Sequence, residues 1–273
     1  MHHFSFFRAI ALFLLLFSVQ LICQEPGEAE GRNQKDAENR SSAVPIAITW
    51  DDNYVDEWYN LKDTLRYYDV KCTFFVCSFT NLTKRQVEKL KVLESEGHEI
   101  GCHSKSHSDA ELFVNKYGIE KYIHDEIRPE IDAMVKSGLH PISFSYPFGG
   151  RSAKLDLELQ NYFTTIRGLT SFSKPNFKRP PVVNGIGMDD NFCPVETVIS
   201  ELKKEYSKGQ FVVLVGHTPT AKPFVVPRYY TTIDRLVKII KEAKELGFRF
   251  STISNLPAIL SASEVLTSQV KDN

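Results

Sequence analysis

The sequence predicts an α/β fold in which a parallel sheet closes into a barrel and helices cover its outside. Two observations carry this. Short apolar runs alternate with stretches of helical periodicity along the chain, and strand–helix alternation builds parallel sheets covered by helices. About seven such strands fall within roughly 220 residues, a count that favours a closed barrel over an open sheet. A third observation makes the reading testable. The polar residues of chemical interest follow the carboxyl ends of different strands, where function sits in folds of this kind.

The chain has 273 residues, 42% hydrophobic and 25% charged, with net charge −1. That is ordinary globular composition. The near-zero charge argues against nucleic acid or an anionic membrane as partner. Residues 1–23 read as a signal peptide. Arg8 precedes the apolar run AIALFLLLF, and Ser18 and Gln20 follow it. The run is too short to span a bilayer comfortably, so no stable span is expected after cleavage. Cleavage is expected near Cys23, which places the mature chain in the periplasm, at the cell surface or outside the cell. "QLIC" faintly resembles a lipoprotein site anchored at Cys23, but Ile22 stands where a small residue is expected. Residues 24–43 contain no aromatic residue and no Val, Ile or Leu. They cannot bury enough surface to offset ordering, which predicts a flexible linker.

The folded domain is expected over 44–262, with 263–273 as a C-terminal tail. Candidate strands are 46–50 (IAITW), 71–77 (KCTFFVC), 98–102 (HEIGC), 142–146 (ISFSY), 163–167 (FTTIR), 211–216 (FVVLVG) and 248–253 (FRFSTI). Helical patterns lie near 55–68, 83–96, 110–137, 153–162, 195–207 and 229–246. The last has Ile233, Leu236, Val237, Ile240 and Ala243 on one face and Gly247 as a stop. Cys72 and Cys77 fall on opposite faces of one strand and cannot pair there. With Cys102 and Cys193 they read as free, buried thiols.

Asp51 and Asp52 stand side by side where the first strand leaves the core. Like charges that close raise one pKa unless a cation compensates. "GCHSKSHSD" supplies His103 and His107. Their spacing places both imidazoles on one side of a helical turn, where they can share a metal. Alone, an H-x3-H pair is more often two surface histidines. Combined with Asp52 it forms a two-histidine, one-carboxylate set with open positions, a catalytic rather than structural zinc arrangement. One aspartate then binds the cation and the other stays free beside it as a base. His217 follows the apolar strand in "LVGHTP". A lone histidine there is ordinarily a strand-end cap, but the strand aims it at the same mouth, which favours a general acid. Tyr146, Phe148 and Trp50 are candidates to stack on sugar faces, although Trp50 reads better as core.

These motifs, in this order, resemble the polysaccharide deacetylases, the NodB-homology domain of carbohydrate esterase family 4. TWDDN is similar to the family's T-F-D-D-G, HSKSH to its H-[ST]-x-x-H, SYPFGG to its proline-containing third motif and VLVGH to its closing L-x-H. The resemblance spans roughly residues 44–256. It implies a single catalytic domain, a distorted (β/α)7-type barrel, that hydrolyses N-acetyl or O-acetyl groups of a polysaccharide or oligosaccharide. It implies Asp51 as base, Asp52, His103 and His107 as ligands of a divalent metal, most often zinc, and His217 as acid. Tyr146, Pro147 and Phe148 would line the substrate and oxyanion site, with the Phe148 N–H as oxyanion donor. Two positions depart from the pattern. Asn53 replaces a glycine and tolerates the left-handed conformation. The third motif lacks the arginine that orients the base, as in the branch of bacterial surface-polysaccharide deacetylases, and Arg167 at the end of the next strand is the candidate replacement. The family pairs its acid with an upstream aspartate, here Asp189 or Asp190.

Two rival readings are a metal-dependent hydrolase of another non-peptide C–N bond, such as a cyclic amide or ureide, and a non-enzymatic sugar-binding module. The latter would need a broken triad or acid, and neither is broken. The polymer itself is not legible, because chitin, peptidoglycan and poly-N-acetylglucosamine present the same acetamide.

Overall fold

Strand β1 (Pro45–Asp52) is the hub of the structure. It pairs in parallel with β2 (Cys72–Val76) on one side and β7 (Val212–Gly216) on the other. Between them run β3 (Glu99–Cys102), β4 (Ser143–Ser145), β5 (Thr165–Leu169) and β6 (Val182–Gly187), each parallel to its neighbour. The β1–β7 pairing, Ile46↔Val212 through Trp50↔Gly216, closes a seven-stranded barrel. The barrel is uneven: β3 and β4 share the single register pair Cys102↔Phe144, and β6 and β7 share two.

The computed structural model describes residues 44–172, 174, 176–177, 181–223 and 229–260. The expected signal peptide, Cys23, the linker and the C-terminal tail lie outside the described residues. Among the described residues no helix is long and apolar enough to cross a membrane.

Both faces of the strands are buried, which is why they read as near-continuous apolar runs. Ile46, Ile48 and Trp50 pack outward against the helices. Ala47 packs inward with Phe75, Val183, Phe211 and Val213, and Ile253 and Leu256 join this inner cluster. The covering helices are α1 (Val55–Asn60), α2 (Lys62–Tyr67), α3 (Lys84–Ser95), α4 (Ala110–Tyr117), α5 (Ile119–Tyr122), α6 (Arg128–Lys136), α7 (Ala153–Leu159), α8 (Val195–Ser207) and α9 (Ile233–Leu246). Thr83 and Gln86 form a reciprocal capping box on α3. On α9 the buried set is Arg235, Leu236, Ile239, Ile240 and Ala243, so Ile239 takes the place expected of Val237. A π-turn, Ile123–Ile127, joins α5 to α6 within the stretch read as one long helical pattern.

Three expectations change. FRFSTI is not the seventh barrel strand. Once β7 closes on β1, only the protruding start of β1 offers an edge, and β10 (Arg249–Phe250) pairs there over Pro45 and Ile46 alone. The seventh strand is β6, hidden in the sequence by Asn184, Gly185 and Gly187. Glycine is required at 185, where a Cβ would meet the Val215 side chain and lie 3.3 Å from Arg167 Cδ. The helical stretch from 229 begins only at Ile233, because β9 (Tyr230–Thr232) pairs with β8 (Thr218–Thr220) in a separate two-stranded sheet.

Candidate active site

The carboxyl ends of β1, β3, β5 and β7, with the loops that follow β4 and β6, converge on one mouth. Asp51 lies on the inward side of β1 and is 4% exposed. Its Oδ2 accepts from Nη2 of Arg167, which also donates to Ser145 Oγ. Arg167 is fully buried in mid-strand on β5, with its guanidinium 5.5 Å from the Phe75 ring centroid. Asp51 Oδ1 has no hydrogen-bond partner among the described residues. A buried carboxylate is stable only when paired, and Arg167 is the pair.

Asp52 ends β1 with φ of 86°. The left-handed residue of this turn is therefore Asp52, and not Asn53 as the sequence suggested. Its Oδ1 lies 3.1 Å from His107 Nε2 and 3.8 Å from His103 Nε2. Burial pushes the Asp52 carboxyl up, but the His107 hydrogen bond and the nearby imidazoles outweigh it and bring the pKa down to about 2. His103 is 1% exposed, and Nδ1 faces the Ser145 carbonyl at 2.8 Å. That contact directs Nε2 toward the aspartates, 3.8 Å from Asp51 Oδ2. Burial holds the His103 imidazole at about 4, against the pull of Asp51.

The two histidines do not share a helical turn. Residues 103–109 form a loop in which Ser104 (φ 64°) and His107 (φ 56°) are left-handed. The H-x3-H spacing brings the rings together by folding the loop back on itself, with centroids 4.9 Å apart. One donor atom each from Asp52, His103 and His107 all lie within 4.8 Å of one another. The set fits a divalent cation: a hard carboxylate held ionised, and imidazoles with Nε2 turned inward.

Across the mouth, His217 follows β7 and is half-buried. Its Nδ1 lies 2.6 Å from Asp189 Oδ2, and its backbone N–H donates to Asp189 Oδ1. Thr231 Oγ1 donates to the same Oδ1 at 2.6 Å. Burial pushes the His217 imidazole down, but the Asp189 hydrogen bond and charge outweigh it and hold its pKa above the ordinary value. Asp189 is thus the acidic partner. Asp190 turns away to accept from the Thr232 N–H and hydroxyl ahead of α9.

The aromatic expectations divide. Phe148 is 67% exposed, left-handed (φ 58°), and its ring lies edge-on to His107 at 4.6 Å. Tyr146 and Trp50 are fully buried, so neither offers a face to a sugar. Tyr146 belongs to the core and donates its hydroxyl to Asp156. Pro147 is buried and opens the short 3-10 turn Pro147–Gly149 that presents Phe148. Sequence reasoning missed Ser145, Thr231 and Tyr229. The exposed Tyr229 ring lies 5.1 Å from His217 and stacks on Phe192 at 5.0 Å. Ser145 had a signal, since it stands next to last in ISFSY, on the face opposite Phe144 and Tyr146.

A polysaccharide deacetylase family model matches residues 38–165. A peptidoglycan-N-acetylglucosamine deacetylase of Bacillus cereus is 27% identical over 217 residues, covering 77% of this chain and 87% of the relative. Among solved structures, peptidoglycan deacetylase PdaC from Bacillus subtilis matches with a TM-score of 0.56 at 18% identity, covering 85% of this chain and 98% of that one. A family 4 acetyl xylan esterase from Clostridium thermocellum, in complex with a cobalt ion, matches with a TM-score of 0.53 at 20% identity, covering 79% and 91%. At such identities the structural likenesses speak for the fold.

Proposed function

We propose that the chain is a polysaccharide deacetylase, an exported, metal-dependent hydrolase that removes N-acetyl groups from a polysaccharide and releases acetate, a reading supported by the family model that matches residues 38–165. The observation that carries this is the division of labour between the two adjacent acids. Asp51 is paired with buried Arg167, while Asp52 groups with His103 and His107, and His217–Asp189 stands opposite.

In this reading Asp52, His103 and His107 hold a divalent cation, zinc being the first to test. When bound, such a cation lowers the pKa of water and polarises the acetyl carbonyl. The remaining work falls to the chain. Asp51, held in place by Arg167, accepts the proton of the attacking water. The backbone N–H of Phe148 is assigned to the developing oxyanion. An amine leaves poorly unless protonated, and His217 Nε2 donates that proton. Asp189 at Nδ1 fixes the tautomer and favours the imidazolium that must do so. The exposed rings of Phe148 and Tyr229 flank the mouth and suit the faces of a sugar ring.

Peptidoglycan is the first substrate to try, on the strength of the Bacillus cereus relative. The test is acetate release from purified peptidoglycan, chitin oligosaccharides and poly-N-acetylglucosamine, before and after chelation and zinc return. Release that is lost on chelation and restored by zinc is expected. No acetate from any of the three by zinc-loaded protein overturns the reading. Export rests on the apolar run behind Arg8 and is tested by fractionating cells that express the full chain.

A further inference from the structure

Six non-glycine residues among those described have positive φ, and five of them ring the site: Asp52, Ser78, Ser104, His107 and Phe148. Side chains with a Cβ adopt this conformation only where the surroundings over-determine it. The loop that carries His103 and His107 holds two of the five. Something must impose that shape.

Three hydrogen bonds tie this loop to one residue. Lys105 N–H donates to the Glu126 carbonyl at 3.0 Å. Ser106 N–H donates to Glu126 Oε2 at 2.8 Å, and Ser106 Oγ to Oε1 at 2.6 Å. Glu126 is 5% exposed. It lies in the π-turn Ile123–Ile127, an uncommon element that tends to mark functional positions in helices. The same helical segment also steadies the neighbouring loop. Glu130, on α6, accepts the Phe79 N–H at 2.8 Å. Ser78 then donates to the Ser104 carbonyl through N–H and to the Lys105 carbonyl through Oγ. The loops after β2 and β3 are thus braced against each other and against two buried carboxylates, Glu130 under the first and Glu126 under the second.

We propose that Glu126 is a positioning residue for metal binding. It fixes the Ser106 peptide, and through it the left-handed His107, so that Nε2 is aimed at Asp52 Oδ1. The proposal rests on the reading that Asp52, His103 and His107 hold the cation. An ionised carboxylate accepts through both oxygens and so serves both Ser106 donors. Glutamine has one acceptor oxygen and serves only one. The π-turn is what brings the Glu126 backbone carbonyl and side chain to the same loop.

The experiment measures Zn2+ affinity by competition with a chromophoric chelator, and the visible spectrum of the Co2+-loaded protein as a readout of ligand geometry. Neither needs turnover. Loss of a residue that orients metal ligands typically weakens metal affinity about 10–100-fold, and that is expected for Glu126→Ala. Glu126→Gln should recover part of it, and Ser106→Ala should weaken binding less than Glu126→Ala. Leu236→Ala, a core truncation on α9, should lower Tm and leave Zn2+ affinity unchanged. His107→Ala should bind far more weakly than all of these. Wild-type affinity and Co2+ spectrum in folded Glu126→Ala overturn the proposal, as does an equal loss in Leu236→Ala. If Glu126→Ala does not fold, wild-type affinity in both Glu126→Gln and Ser106→Ala overturns it. If His107→Ala binds as wild type does, the metal reading itself fails and this proposal falls with it.

Discussion

Replacing Asp189 by asparagine removes one charge from a place that solvent does not reach. Asp189 is fully buried, and its two oxygens serve three donors: His217 Nδ1, the His217 N–H and Thr231 Oγ1. Asparagine keeps one acceptor oxygen. The backbone N–H can only donate, so the amide oxygen is required there and the NH2 group faces Nδ1. Nδ1 must then accept, the ring proton moves to Nε2, and the imidazolium loses its partner. A hydrogen bond to a charged group contributes about 1.5–3 kcal/mol, and its loss brings the His217 pKa down. The sign follows from the role. An acid works while protonated, so activity is lost as pH rises through its pKa, and Asp189 holds that pKa above the ordinary value. The variant's alkaline limb therefore moves to lower pH, and turnover near neutrality falls by about 10²–10⁴-fold, the usual worth of general acid catalysis. The assay is kcat/KM against pH for acetate release from an N-acetylated oligosaccharide, beside an aryl acetate ester whose leaving group needs no proton. The ester should be largely spared. An unmoved alkaline limb, or equal loss on both substrates, refutes the assignment of His217 as acid.

Other outcomes follow from the same geometry. His103→Ala and His107→Ala should lose zinc and activity together, and full zinc occupancy in the double variant would sink the ligand assignment. Arg167→Ala strands a buried carboxylate and should cost about 3–5 kcal/mol of stability with a strong loss of turnover. Near-normal turnover, read beside a urea midpoint, would show that another group orients Asp51. Asp51→Asn should keep zinc and lose turnover, whereas Asp52→Asn should lose both; elemental analysis beside acetate release separates them. The metal-free protein should be acid-labile. Burial holds His98 and His103 at about 4, against an ordinary 6.5, so the unfolded chain takes up protons first. Stability is then full above about pH 6.5 and falls toward pH 4, by up to about 3 kcal/mol per histidine. Urea midpoints at pH 7 and 4.5 measure this, and a flat profile contradicts it.

The parts of the fold legible in the sequence are those where burial on both faces wrote an apolar run. β1, β2 and β7 are such strands. β6 was not legible, because Asn184, Gly185 and Gly187 are poor strand formers and the glycine is present to let the strand approach Val215 and Arg167. FRFSTI had the right pattern, but a closed ring leaves only the start of β1 to receive it, and closure is a non-local fact. The same gap explains the choice between Asp189 and Asp190. Only the course of β6 decides which of two adjacent acids turns toward His217. The ligand loop shows a limit of another kind. H-x3-H spacing fits a helical turn, and it fits equally a loop with two left-handed residues whose cause, Glu126, stands about twenty residues further along the chain. Arg167 was legible by position near a strand end and by the lack of an arginine before Pro147, yet its full burial follows only from the barrel interior.

Two carboxylates one residue apart would repel if both faced the same space, and the backbone prevents this. Asp51 follows the pleat of β1 inward, on the side of Ala47 and Thr49, and meets Arg167. Regular alternation would send Asp52 outward, among the apolar residues that pack with Trp50 against the helices. Its φ of 86° breaks the alternation, while the Cys77 N–H holds its carbonyl at 2.9 Å and keeps it in register with Val76. The carboxylate then reaches His107 and His103 instead of the core. Each acid so acquires its own partners: a permanent guanidinium for Asp51, and for Asp52 two imidazoles that a divalent ion would engage. An ionised, oriented base beside an ionised ligand requires that separation. A change that restored the pleat at Asp52 would merge the two environments, and both functions would fail even with Asp51, Arg167, Asp52, His103 and His107 all present.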